Sequence, residues 1–163
     1  MYVNHIILTT DYISAYSYCL KYETDLSTNR PDAASSSTQQ VEVNFTNHTL
    51  LYELDESKGS GEEKTVCQDI LSTSPREELL PTSVKIRQSE GTDGWAVKTI
   101  QLQEYPGSGK YVGYALDPSE SRFWTDLNSD GCAGTPVRCT ADGFQCCCNG
   151  EWCELTPLGN YYF

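Results

Sequence analysis

The stretch VKIRQSEGTDGWAVKTIQL, residues 84–102, decides the fold. Val84 and Ile86 alternate with Lys85 and Arg87, the period-2 pattern of a half-buried strand. Gly91-Thr92-Asp93-Gly94 is a turn sequence, rich in residues that accept unusual backbone angles. A second apolar run follows, but its parity changes midway. Trp95 and Val97 fall on odd positions, Ile100 and Leu102 on even ones. A bulge that shifts the register, or burial of both faces, accounts for such a change.

The same grammar extends to both sides. Residues 2–10 read as a strand. In the next run Tyr16, Tyr18, Leu20 and Tyr22 share one face, while Ala15, Ser17, Cys19 and Lys21 share the other. Residues 24–40 are polar and include the serine run 35–37, which predicts a solvated loop open to O-glycosylation. Val41, Val43 and Phe45 alternate with Glu42, Asn44 and Thr46, and residues 50–54 form a further strand. Residues 55–64 are charged and glycine-bearing, as expected of a surface loop. Ser74-Pro75-Arg76-Glu77 is a capping-box pattern for one helical turn, which Pro81 ends. Residues 106–109 read as a turn and residues 111–116 as a strand. Short strands separated by turn chemistry predict an all-β fold, an antiparallel β-sandwich of jelly-roll type. The expected organisation is a sandwich domain over residues 1–130 with a polar insert at 24–40. A small disulfide-rich tail follows over 131–163.

Residues 84–130 resemble the second half of a PLAT (lipoxygenase-homology, LH2) domain. The residues that carry the resemblance are Val84-Lys85-Ile86, the acidic turn from Gly91 to Gly94, the Trp-led run Trp95-Ala96-Val97-Lys98-Thr99-Ile100, and the later aromatic pair Phe123-Trp124. Residues 3–10 match the position of the family's first strand. The family's glycine-rich N-terminal turn is missing, and the tail lies outside its pattern. The resemblance implies an eight-stranded sandwich that binds proteins or lipid interfaces, in some members with calcium, and performs no catalysis of its own.

Compartment is read from the cysteines. Of eight, six lie between Cys132 and Cys153, and Cys146, Cys147 and Cys148 are consecutive. A secreted protein uses such a cluster as a staple, whereas a reducing cytosol gives it little purpose. Zinc is the rival reading. Cys148–Cys153, with four residues between, lies at the limit of the usual zinc spacing and Cys139–Cys146, with six, lies beyond it, while His5 and His48 are far off in sequence. Disulfides are therefore expected for Cys19, Cys67, Cys132, Cys139, Cys146, Cys147, Cys148 and Cys153. Adjacent cysteines rarely bond each other, so the triplet is expected to reach three partners. Cys19 and Cys67 are expected to pair across the sandwich, or else one of them anchors the tail. Eight cysteines allow on the order of a hundred pairings, so the map itself is not readable.

The sequons Asn44-Phe45-Thr46 and Asn47-His48-Thr49 agree with an extracellular location, secreted or on the cell surface, and predict N-linked glycan at Asn44, Asn47 or both. The parity of the strand places Asn44 on the solvent face; Asn47 requires a turn. No apolar run approaches the ~18 residues of a membrane-spanning helix. Residues 1–10 lack the basic start and apolar core of a signal peptide, so the expected chain is a processed form or a piece of a longer one. The net charge of -12 argues against nucleic acid and against an anionic membrane surface.

Asp126, Asn128, Asp130 and Gly131 make the opening of a calcium loop, in which alternate oxygens converge on one cation. The twelfth position is Val137 where glutamate is needed, so the loop is not a complete EF-hand; Asp93, Asp117 or Asp142 would have to complete it. An ordinary Asx-turn uses the same residue types. No nucleophile elbow, metalloprotease helix or phosphate loop is present, and the sequence reads as non-catalytic. The tyrosines, 11 of them, suit contact surfaces. The expected role is a structural or interaction module, a glycosylated subunit of a surface, matrix or filament assembly. Its partners would be other protein subunits, copies of itself included. A calcium-dependent lipid- or glycan-binding domain is the alternative, and a secreted hydrolase or toxin comes third. The terminal Tyr161-Tyr162-Phe163 is expected to dock on the body as a last strand, or on a neighbouring copy.

Overall fold

The structure, a computed structural model, describes residues 14–26, 33–46, 48–72, 81–105, 110–127, 132–133, 138–139, 145–147 and 149–162. All regular structure among them is β. The strands are β1 (Ser14–Thr24), β2 (Thr38–Asn44), β3 (Thr49–Leu54), β4 (Glu63–Ser72), β5 (Ser83–Glu90), β6 (Trp95–Tyr105) and β7 (Lys110–Ala115). Then come β8 (Phe123–Thr125), β9 (Cys132–Ala133), β10 (Arg138–Cys139), β11 (Gln145–Cys147) and β12 (Cys153–Tyr162). Residues 2–10 and the capping box at 74–77 lie outside the described residues.

One layer runs β4-β1-β6-β7-β12 and the other β3-β2-β5-β12. β12 belongs to both. Its first residues, Cys153 to Leu155, pair with β5, and from Thr156 onward it pairs with β7. The residues expected to form an appended tail thus include a strand of the sandwich itself, and Leu155 is buried in the core. Tyr161 and Tyr162 pair with Tyr111 and Lys110 of the chain's own β7. The terminus therefore docks on the body.

Alternation builds the core as expected in the central strands. Val41 and Val43 of β2 and Val84 and Ile86 of β5 point inward, against Tyr18, Leu20 and Tyr22 of β1. At ~25 cal/mol per Å² of apolar surface, this burial is the main force holding the layers together. The parity change in β6 is a bulge. Glu23 of β1 faces Thr99, but its successor Thr24 faces Val97, so Lys98 is the extra residue. The bulge lets Trp95 and Val97 point inward with Ile100 and Leu102. Tyr22 meets the Trp95 ring edge-on, with centroids 5.6 Å apart.

β4 follows the charged loop directly and, among the described residues, pairs only with β1, at the edge of its layer. A side-chain amide closes the adjoining edges of the sandwich, Gln68 Nε2 of β4 donating to the Leu51 carbonyl of β3. Beyond the body, β8 pairs antiparallel with the start of β6 and parallel with β11; β10 pairs with both β11 and β9.

Candidate functional site

Two places bring polar side chains together. The first is the end of the sandwich where residues 33–37, 55–62 and 91–94 meet. The serine run expected to be solvated is packed there, because its hydroxyls are consumed internally. Ser35 Oγ donates to the Asp93 carbonyl at 2.9 Å, and Ser37 Oγ accepts from the Asp93 amide at 2.9 Å. Both serines are buried, which corrects the expectation of an O-glycosylated linker at these two positions. The Asp93 carboxylate accepts the Ser36 amide at 3.2 Å. Gly91 adopts a positive φ of 92°, and an added Cβ there would collide with Ser37.

Lys58, expected in a surface loop, is 1% exposed. Its ammonium donates to the carbonyls of Ser37 at 2.8 Å and Glu56 at 3.0 Å and lies 5.6 Å from the Trp95 ring centroid. Burial lowers its pKa to about 8, with the Lys64 charge adding to the effect. Nothing in the local sequence distinguishes Lys58 from Lys64. What separates them is the backbone bridge from Ser35 to Lys58, which turns the side chain inward. Close by, buried Asp25 accepts the Leu26 amide at 2.9 Å and Arg122 Nε at 3.2 Å, tying the end of β1 to the segment before β8.

The second place is the junction that follows β8. The Asp126 amide donates to the Cys147 carbonyl at 2.9 Å, and its carboxylate accepts Trp124 Nε1–H at 3.1 Å. The indole lies against Gly94, where a Cβ would come within 2.0 Å of the ring. Asn128, Asp130 and Gly131 lie outside the described residues, as does Asp142. Asp117 is committed to a turn, its carboxylate accepting the Ser119 amide at 2.9 Å and hydroxyl at 2.7 Å. Asp93 stands with the first group. Among the described residues, no cluster of three or more His, Cys, Asp or Glu side chains could hold a metal.

Cys19 pairs with Cys67, and Cys147 with Cys153. The first bond joins directly opposed residues of neighbouring strands in one layer, so it does not cross the sandwich. Cys146 is also disulfide-bonded. Cys132 and Cys139 face each other in the β9–β10 register, and Cys148 is outside the described residues. Asn44 sits on the outer side of β2 as its parity requires. Its amide nitrogen donates to Glu42 at 2.9 Å and Ser83 at 3.0 Å, and its oxygen accepts the Thr49 hydroxyl at 2.8 Å. A glycan on this nitrogen would replace one of the two donated bonds. Asn47 lies outside the described residues, between the paired residues Phe45 and His48. The His48 ring stacks on Phe45, with centroids 4.6 Å apart.

No protein-family model and no curated protein matches this sequence. Solved structures do match it. A crystal structure of the lipoxygenase variant Delta413-417:GS LOX aligns at a TM-score of 0.54 and 11% identity, over 88% of this chain and 16% of that one. The same variant in an anaerobic complex with arachidonate gives a TM-score of 0.53 over 87% of this chain. At that identity the likeness is one of fold, and the fold is the PLAT/LH2 β-sandwich that lipoxygenases contain. The chain spans about one-sixth of the lipoxygenase chains it matches.

Proposed function

We propose that this chain is a non-catalytic extracellular module, a glycosylated subunit of a cell-surface, matrix or filament assembly that works through protein–protein contacts. The observation that carries the reading is the disulfide bonding of every described cysteine whose side chain is placed, on the sandwich and at the junction alike. Bonds of this kind persist in oxidising compartments. The likeness to only one-sixth of an enzyme chain supports an accessory module over a complete catalyst. The test is the oligomeric state of glycosylated material from a secreting host, by light scattering and electron microscopy, with glycosidase-sensitive mass at Asn44 or Asn47. Subunit assembly is the expected result. A strictly monomeric, glycan-free product would overturn the reading.

The shared PLAT fold favours a second reading, calcium-dependent binding to a lipid or glycan surface. Asp126, its carboxylate oriented by the Trp124 indole, is the described residue of this loop that would contribute to a calcium site. Binding to vesicles or glycans that is lost both on chelation and in Asp126→Ala supports this reading; indifference to chelator rejects it.

A further inference from the structure

The Cys19–Cys67 bond differs from Cys147–Cys153 in where the fold puts it. Cys147 is 1% exposed, and its sulfur lies 3.5 Å from the Ile86 carbonyl and 3.2 Å from that of Glu151. A reagent must open the junction to reach this sulfur, and its partner Cys153 is only half-buried, less open than Cys67. Cys67, in contrast, is exposed on the outer face of the edge strand β4, which no further strand covers among the described residues. Cys19 is half-buried on β1, flanked by β4 and β6. The two sulfurs of one bond are therefore unequally accessible.

We propose that Cys19–Cys67 is a thiol-exchange site, with Cys67 Sγ the atom that an incoming thiolate attacks. The thiolate forms a bond to Cys67 Sγ as the bond between Cys67 and Cys19 breaks. The electron pair leaves on Cys19 Sγ, which becomes a thiolate and takes a proton from solvent. A second thiol attacking the outer sulfur of the mixed disulfide releases a small disulfide and leaves Cys67 reduced. Two thiols thus supply the two electrons. Exchange depends on access to the attacked sulfur, and exposed bonds are the labile ones. The strands do not separate when the bond opens. β1 and β4 remain paired from Ser14–Ser72 to Glu23–Glu63, and β6 holds the other side of β1. The thiols stay face to face, ready to close again.

Charge selects the reagent. On the same face, Asp69 accepts the Ser17 hydroxyl and Lys21 is paired with Glu63 at 3.4 Å, so among the described residues no uncompensated cation waits near the sulfur. The chain as a whole carries -12. A cationic thiol is attracted to such a surface and an anionic one is repelled.

The test exposes the oxidised chain in native buffer to rising cysteamine, quenches with iodoacetamide and maps the labelled peptides by mass spectrometry. Cys19 and Cys67 should be labelled about tenfold faster than Cys147 and Cys153, with the β-type circular dichroism intact. Cysteamine should outpace mercaptoethanesulfonate at equal thiolate concentration. In the Cys147→Ser/Cys153→Ser variant the rate at Cys19 and Cys67 should not change. Labelling of Cys147 and Cys153 first or at the same rate would overturn the proposal. So would labelling of Cys19 and Cys67 at the rate of global unfolding in denaturant, or a dependence on the junction cysteines.

Discussion

In the body of the sandwich, strands of 6 to 11 residues bury Leu20, Tyr52, Leu54, Ile86 and Trp95 in one continuous core. At the junction, β9, β10 and β11 are only two or three residues long, and cysteines recur on each of them. Order in the body comes from area removed from water. Order at the junction comes from cross-links and from single contacts such as Trp124 to Asp126. A segment of that size cannot bury enough apolar surface to offset the entropy of fixing its backbone, so covalent bonds replace the missing core. One chain thus poses two stability problems, each solved by different chemistry.

The strongest test of this contrast is Trp95→Ala. The side chain is fully buried, and its indole N–H donates to Thr24 Oγ1 at 2.9 Å. Its removal should cost about 3–5 kcal/mol in denaturant unfolding, whether or not the disulfides are reduced. A loss seen only after reduction would mean that cross-links also hold the body.

Next comes pH. Lys58 has a folded pKa of about 8, below its unfolded value, so the unfolded chain binds more protons between about 8 and 10.5. Stability should therefore rise with pH through that window, by up to about 2 kcal/mol from pH 8 to 10. From about pH 9 upward an opposing effect enters. Burial raises the pKa of Tyr22, Tyr52 and Tyr114, so the unfolded chain loses those protons first and stability falls. Urea titrations of the wild type and Lys58→Met measure the slope; the variant should lack the rise between pH 8 and 9 and should fall toward pH 10 as the tyrosines begin to titrate. An equal slope in both would place the linkage elsewhere.

The smallest effect is expected from Gly94→Ala, which pushes a methyl group into the Trp124 ring. Overpacking of this kind costs about 1–3 kcal/mol, and the low end is expected here because Trp124 stands outside the main core cluster. Tryptophan fluorescence should shift to the red while the cooperativity of body unfolding is kept. An unchanged spectrum would show that Trp124 does not hold the junction together.

Much of the body is legible in the sequence, because β2 and β5 alternate cleanly and pack on one face. The parity change after Trp95 correctly signals the bulge at Lys98. What escapes has local causes. β4 is an edge strand whose side chains are largely solvated, so it carries no hydrophobic period to read. Serines 35 and 37 look like linker residues because their partner, Asp93, lies far along the chain. Lys58 is inward-facing through a backbone bridge that no side-chain pattern reports. At the candidate sites, residue types such as Asp126 and the cysteines are visible, but their pairings depend on register. Pro157 and Gly159 disguise β12, whose register shifts between Pro157 and Asn160.

The dual membership of β12 bears on the order of events during folding. Neither layer can be complete until this strand has found β5 at one end and β7 at the other, and both searches close long loops. Contacts of such separation form slowly, since loop entropy is lost before they contribute. The Cys147–Cys153 bond lies at the threshold of the strand, with Cys153 opposite Ile86 of β5. Its oxidation shortens the search by tethering the start of β12 near its docking place. On this kinetic view the bond acts as a latch for the last-closing seam, and oxidant supply sets how long both sheet edges stand open to a neighbour.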